Sequence, residues 1–326
     1  MINISNTFLY SIPPLSHLQA SIFNASNNFI RNIWIDDLPQ GITELNLEDN
    51  NIRSDGLLED WPNTIVTLNL SKNPIYSLDQ VDNWPRGLRS LNLSGSKIHG
   101  VFQSGFLPDT LEYLNISNTG ISRIHKFPKG LKEFIAVNTD LRILPDVCNH
   151  VIEKIVVTQA AMTNWGLPFY WGKALKFLDL NSNRIQKVPE HLPEGIEYIN
   201  LSANSIQYFS QIPKSVQTIM LNCNRILEIP PWFYTMDAKF AIQHNCLVEI
   251  PVIANCLTAS YQWVGSRYDI GASSFQKAWY KRRILQIIRI LSRTARIKWE
   301  LLSVAMHPSR VLVFQDVSRE WNNVVC

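Results

Sequence analysis

The chain has 326 residues, 46% of them hydrophobic and 17% charged, and carries a formal net charge of +3. This composition fits a soluble, folded protein, and no stretch approaches the ~20 consecutive apolar residues that a membrane helix needs. Five cysteines, an odd number without a CxxC pair, argue against a disulfide framework or a zinc cluster and favour a reducing compartment.

The N-terminal segment, residues 1–19, opens MINISNTFLYSIPP and lacks the basic and apolar regions of a secretory signal. It is read as an N-terminal cap. From residue 20 to about residue 256 one pattern recurs eleven times, with copies starting at Ala20, Ile42, Ile65, Leu88, Leu111, Leu131, Ile152, Leu175, Ile196, Val216 and Asp237. Successive starts lie 20 to 23 residues apart. Clear copies read IVTLNLSKNPI from Ile65, LKFLDLNSNRI from Leu175 and IEYINLSANSI from Ile196. The form L-x-x-L-x-L-x-x-N-x-L at this period is the signature of the leucine-rich repeat.

One such unit cannot bury its own apolar side chains, so neighbours must stack and share a core. The expected architecture is an α/β solenoid. A short strand in each unit turns the residues at plus three and plus five inward and those at plus two, four and six outward, so stacking builds a parallel concave sheet. Three further columns are expected to point inward. At plus ten stand Ile52, Ile75, Ile98, Ile121, Leu141, Met162, Ile185, Ile206, Ile226 and Leu247; at plus thirteen Leu78, Val101, Ile124, Leu144, Trp165, Val188, Phe209, Ile229 and Ile250. Four residues before the next start, the series includes Leu38, Trp61, Trp84, Phe127, Cys148 and Trp171. A proline follows that last position at seven junctions, Pro39, Pro62, Pro85, Pro108, Pro128, Pro193 and Pro213. Proline lacks an amide donor and disfavours helix before it, so the convex side is expected to be mostly extended or polyproline-like.

The proline-containing copy LPEGIEYINLSANSIQYF from Leu192 resembles the short repeats of secreted bacterial leucine-rich repeat effectors. IPKSVQTIML from Ile212 is similar to the FNIP-type repeats of amoebae and giant DNA viruses, without the tetrapeptide itself. The resemblance covers roughly residues 20–256. It implies a repeat protein that binds other proteins, and an effector or viral setting. The large ubiquitin-ligase domain of some of those effectors does not carry over, since about 70 residues remain and they contain no Cys-x-Asp.

Asparagine at plus eight hydrogen-bonds bent backbone. It is present as Asn28, Asn50, Asn73, Asn183, Asn204, Asn224 and Asn245, whereas the middle units carry Ser96, Thr119, Thr139 and Ala160. An unpaired buried backbone group costs about 1 to 3 kcal/mol, so the centre should be the weakest stretch unless something compensates.

The repeat stops after Pro251. Residues 257–326 hold eleven Lys or Arg against four Asp or Glu, a balance of +7, which leaves −4 for residues 1–256. From about residue 272 to 306 the spacing is helical, with an apolar stripe through Ile284, Ile288, Leu291, Trp299 and Leu302 and a basic stripe of Arg282, Arg289, Arg293 and Arg296. A basic, mainly α-helical C-terminal region is expected. Three readings stand open for it: a cap on the last repeat, a docking element for an acidic partner, or a membrane or nucleic-acid contact. FQKAWYKRRIL from Phe275 resembles an IQ-type calmodulin-binding motif, although Tyr280 and Leu285 stand where basic residues are usual.

On the concave face, the plus-four column changes from asparagine to Ile135, Val156, Asp179, Asn200, Met220 and Ala241. Plus two adds Tyr113, Glu133, Lys154, Phe177 and Tyr198, and plus six adds Val137 and Thr158. Exposed aromatic and aliphatic residues ringed by charge have the composition of a protein-binding hot spot, though a strand column can also simply tolerate apolar residues. The candidate partner-binding set is therefore Tyr113, Glu133, Ile135, Val137, Lys154, Val156, Phe177, Asp179, Tyr198 and Met220. Phe169 and Tyr170 fall outside the repeat frame and would extend the site or fill a loop. There is no HExxH, glycine-rich phosphate loop or GxSxG elbow, and the seven histidines are scattered. The expectation is a non-enzymatic, cytoplasmic protein-interaction module without cofactor or metal. The alternative is a substrate-recognition or targeting subunit whose tail recruits a second factor such as calmodulin or a ubiquitin ligase.

Overall fold

The structure is a computed structural model that describes residues 1–246 apart from 80, 82, 104–106, 148–150, 210, 231, 234, 235, 237 and 243. The expected C-terminal helix with Arg282, Arg289, Arg293 and Arg296, and the core positions Cys148, Leu247 and Ile250, lie outside the described residues.

Each repeat begins with a short strand, and the strands pair in parallel with their neighbours in chain order. The main sheet runs β1 (Ile2–Asn3), β2 (Ile22–Asn24), β3 (Glu44–Asn46), β4 (Thr67–Asn69), β5 (Ser90–Asn92), β7 (Tyr113–Asn115), β9 (Glu133–Val137), β10 (Lys154–Thr158), β11 (Phe177–Asp179), β12 (Tyr198–Asn200), β13 (Thr218–Met220) and β14 (Lys239–Ala241). Register is constant, with plus-two residues side by side, as in Phe177 beside Tyr198 and Tyr198 beside Thr218. The strand β1 comes from the segment before the first repeat and adds an edge to the sheet.

Burial follows the inward columns. Leu68, Leu91, Leu114, Phe134, Ile155, Leu178 and Ile199 at plus three, and Leu70, Leu93, Ile116, Ala136, Val157, Leu180 and Leu201 at plus five, are all buried. So are the described plus-ten residues from Ile52 to Ile226, and Leu38, Trp61, Trp84, Phe127 and Trp171 at the corner before the next strand. At about 1.5 to 3 kcal/mol for each buried aliphatic side chain, these columns are the main stabilising term.

The plus-thirteen column differs from expectation in two turns. Val101 is 48% and Trp165 97% exposed, so neither belongs to the core. In both cases a neighbour takes the inward place. Phe102 is buried because the ladder slips by one residue between Gly100 and Val101, and Leu167 packs against the core after a single 3-10 turn at Asn164–Gly166.

No α-helix occurs among the described residues. The convex segments are mostly extended, and 3-10 turns interrupt them also at Ile35–Asp37 and Ser54–Gly56. The prolines have a more specific role than keeping this side extended. The carbonyls of Pro62, Pro85, Pro108, Pro128, Pro193 and Pro213 each accept the N–H of the residue three places on, which starts the next repeat. They open the tight turn that leads into each strand.

The plus-eight asparagines form a ladder through the core. Asn50 donates from Nδ2 to the carbonyls of Ala25, Leu47 and Glu48 at 3.0, 3.1 and 3.2 Å, while its Oδ1 accepts the N–H of Ile30 at 3.1 Å. Asn73, Asn183, Asn204 and Asn224 repeat the arrangement. The middle turns, where the asparagine is missing, carry additional strand pairing. There β6 (His99–Phe102) pairs in parallel with β8 (Gly120–Ile124), and Arg123 continues the pairing to Ile143. On the concave side β9 and β10 run for five residues where most strands of the main sheet have three. Thr119 bonds its own turn, donating from Oγ1 to the carbonyl of Ile116 at 2.7 Å, whereas the buried Oγ of Ser96 has no partner. Compensation in the centre is therefore present but uneven.

A feature absent from the sequence pattern recurs at plus seven. Asn27, Asp49, Lys72, Asn118, Asn138, Gln159, Ser182, Ala203, Cys223 and His244 all have φ between 51° and 57°, and Gly95 has φ 70°. This left-handed residue bends the chain out of the strand in every turn. Its N–H still pairs with the next turn, as in Lys72 to the carbonyl of Ser94 at 2.7 Å.

Candidate functional site

The concave sheet presents three outward columns, and what each can do depends on how its side chains are already engaged. At plus four, asparagine is first a structural residue. The Oδ1 atoms of Asn24, Asn46, Asn69, Asn92, Asn115 and Asn200 each accept the backbone N–H two residues on, which closes the strand with a local turn. Ile135 and Val156 cannot make that bond, and their strands run on to Val137 and Thr158. The apolar pair therefore widens the sheet at the place where it also removes polar surface.

Parallel register sets the candidate residues in rows. Tyr113, Glu133, Lys154, Phe177 and Tyr198 stand side by side, as do Asn115, Ile135, Val156, Asp179, Asn200 and Met220, with Val137 beside Thr158. Adjacent strands lie ~4.8 Å apart, so the six turns form one continuous surface. All ten candidate residues are half-buried, which reflects a concave face whose side chains shelter one another.

Contacts within the rows are specific. The Phe177 and Tyr198 rings stack with centroids 4.3 Å apart and planes 4° off parallel. The Lys154 ammonium lies 5.6 Å from the Phe177 ring centre and pairs with the Glu133 carboxylate at 2.6 Å. The Tyr198 hydroxyl donates to the Met220 sulfur at 3.3 Å. Asp179 accepts the N–H of Asn181 at 2.9 Å and an Nδ2 hydrogen of Asn200 at 3.2 Å. Burial pushes the Asp179 carboxyl above its ordinary range against those two hydrogen bonds, and burial followed by the nearby Asp179 charge pushes the Tyr198 phenol up.

Along the edge where the chain enters the strands, charges alternate at plus one. Arg89 and Lys132 both pair with Glu112, the latter at 2.8 Å, and Lys176 faces Glu153 at 3.9 Å. Exposed pairs of this kind contribute roughly 0 to 1 kcal/mol each and mainly give the rim a mixed charge.

Two other surfaces bear on the sequence reading. Phe169 and Tyr170 lie on the convex segment, in contact with each other at 4.6 Å and with His191 of the next turn at 4.9 Å, so they do not extend the sheet face. Trp165, expected in the core, instead edges a lateral recess of about 410 Å³ with Lys187, Tyr208 and Arg225. The repeat alignment missed it because a tryptophan at plus thirteen matches an apolar column, and only its 97% exposure separates it from the core. Among the described residues no group of three or more His, Cys, Asp or Glu is placed to hold a metal ion, and no helix is long and apolar enough to cross a membrane.

Comparison with known proteins points to the same architecture. Residues 42–59 match the family described as leucine rich repeat. No curated protein matches the chain in sequence. Among solved structures, the chain is similar to YopM, a leucine-rich effector protein from Yersinia pestis, with 19% identity, a TM-score of 0.53, and coverage of 76% of this chain and 78% of that one. It is also similar to a leucine-rich repeat protein of Leptospira interrogans, with 17% identity, a TM-score of 0.55 and coverage of 77% and 74%. The leucine-rich repeat domain of APL1B aligns with 14% identity and a TM-score of 0.54 over 75% of this chain and 82% of that one. At these identities the likeness is one of fold, a leucine-rich repeat solenoid.

Proposed function

We propose that this leucine-rich repeat solenoid is a non-enzymatic, cytoplasmic interaction module that binds a partner protein on the middle of its concave sheet, through Tyr113, Glu133, Ile135, Val137, Lys154, Val156, Phe177, Asp179, Tyr198 and Met220. The observation that carries the reading is Phe177 and Tyr198 stacked at 4.3 Å beside the aliphatic pair Ile135 and Val156, where the five preceding turns carry asparagine. Aromatic anchors beside aliphatic area, with charges around them, are what protein interfaces use for affinity. The likeness of fold to YopM, whose own description is of an effector, makes a role inside a host cell consistent with this reading.

A second reading is favoured by the charge division, +7 in residues 257–326 against −4 before them. In it the repeats select a client while the basic C-terminal stripe, Arg282, Arg289, Arg293 and Arg296, docks on an acidic factor such as calmodulin or a ligase subunit. Partner capture from host-cell lysate separates the two. The full chain is compared with a Tyr113→Ala, Phe177→Ala, Tyr198→Ala variant and with a variant carrying the four Arg→Glu changes, after circular dichroism has shown each to be folded. Loss of the main partner by the aromatic variant, about tenfold or more, supports the concave face, since hot-spot truncations cost about 2 kcal/mol or more each. Loss only by the arginine variant overturns it in favour of the tail.

A further inference from the structure

The concave plus-four column offers an internal comparison. Asparagine at this position accepts one backbone N–H, and Asp179 does the same with the N–H of Asn181. An amide would serve that bond equally well, as it does at Asn24, Asn46, Asn69, Asn92, Asn115 and Asn200. What aspartate adds is a full negative charge, placed in a half-buried position between Val156 on one neighbouring strand and Asn200 on the other.

Among the described residues that charge has no counter-ion. Among the described residues the other half-buried carboxylate of the patch, Glu133, is paired with Lys154, and Asp179 forms no salt bridge. Its neighbours deepen the imbalance. The Phe177 and Tyr198 rings stack two residues before it and before Asn200, and the apolar Val156 stands beside it in the row. In such a setting a charge pair is worth more than in water, and an unpaired charge is correspondingly costly to keep. A carboxylate has about four acceptor sites, and two of those of Asp179 are used. Asp179 stands in an outward column of the concave sheet and is half-buried.

We propose that Asp179, set between Val156 and Asn200 and next to the Phe177–Tyr198 stack, is the recognition site for a basic side chain of the partner protein, with arginine the best fit. The proposal rests on the concave-face reading above and gives it a chemistry. A guanidinium supplies donors in a planar fork that suits a carboxylate whose outer lone pairs are open, and it is more weakly hydrated than an ammonium, so it loses less on entering a groove with apolar walls. Lys154 does not fill this role itself, because its ammonium is held at Glu133 and over the Phe177 ring.

The test uses the full chain and two small probes, N-acetyl-arginine amide and its neutral isostere N-acetyl-citrulline amide, at constant ionic strength. Methyl-selective NMR follows Ile135, Val156 and Met220, which report on the site directly. Arginine amide is expected to shift the Val156 and Met220 signals saturably and about tenfold more tightly than citrulline amide. Asp179→Asn, which introduces the residue that stands at this position in the next turn and in the first five and should therefore fold unchanged, is expected to remove that preference while leaving the rest of the spectrum in place. Equal responses to the two probes, no methyl shift up to the solubility limit, or an arginine preference that survives Asp179→Asn each overturn the proposal. The partner-capture experiment keeps the two failures apart. A partner lost by the aromatic variant but retained by Asp179→Asn leaves the concave reading intact and removes the basic-side-chain site alone.

Discussion

The outer and middle turns of this solenoid solve one problem in two ways. Where the chain leaves each strand, carbonyls and N–H groups of the bend are turned into the core and need partners. In the outer turns a buried asparagine supplies them, with Asn73 bonding three carbonyls and the N–H of Ile52. In the middle turns Thr119 still reaches one such carbonyl, that of Ile116, while Ser96, Thr139 and Ala160 reach none, and the same turns carry the β6–β8 ladder and the longer strands β9 and β10. The lesson is that the repeat specifies a set of groups to be satisfied, while the means can change from turn to turn without altering the stacking.

The comparison can be broken most directly at an outer asparagine. Asn73→Ala leaves four bonds unmade in a buried position and is expected to destabilise the protein by about 3 kcal/mol, read from the denaturant midpoint. Thr139→Ala is expected to cost less than about 1 kcal/mol, since its hydroxyl makes only a long 3.4 Å contact as acceptor from the N–H of Leu141. Equal costs at the two sites would show that the ladder carries no special weight. Native-state hydrogen exchange sharpens the same point. If backbone pairing compensates fully, the amides of β8 are protected as well as that of Ile52; faster exchange confined to the middle turns would identify them as the first to open.

A smaller effect is expected in the convex ladder. Gly100 sits at φ 83° at the point where β6 slips register, and a Cβ built there meets nothing within 4 Å. Gly100→Ala therefore tests conformation alone and should destabilise by about 1 to 2 kcal/mol. In the opposite direction, Ser96→Asn extends the asparagine ladder into the turn whose buried hydroxyl has no partner, and should stabilise by about 1 kcal/mol. No gain there would mean that the middle turns have moved too far from the outer geometry to accept the amide.

The smallest expected effect lies on the concave side. The Asp179 carboxyl is raised above its ordinary range, chiefly by burial, so its ionised form opposes folding at neutral pH. The charged and titratable groups around it are Lys154, already paired with Glu133, and Tyr198, whose phenol is raised first by burial and then by the Asp179 charge. Asp179→Asn should raise the melting temperature slightly at pH 7. The gain should shrink as pH falls through the raised pKa of the folded state and vanish below the ordinary carboxylate range. A loss of stability at pH 7 would show instead that the charge is compensated.

Much of this was legible in the sequence. The number of turns, the inward columns and the half-buried rows on the concave face follow from a period of 20 to 23 residues, because each turn buries its apolar side chains only against its immediate neighbours and the pattern of one turn describes them all. Tertiary structure decided whatever depends on how two particular turns meet. The left-handed residue at plus seven is invisible in residue type, since lysine, alanine, cysteine and histidine occupy it as well as asparagine and glycine. Pairing with the next turn holds the backbone there at a cost no single residue would choose. The exchange of Val101 for Phe102 and of Trp165 for Leu167 turned on a one-residue slip and a 3-10 turn, which an apolar column cannot distinguish. The isolation of Asp179 likewise emerges only when Lys154 is seen to be engaged with Glu133, because a counter-ion is a property of three-dimensional neighbours and not of spacing along the chain.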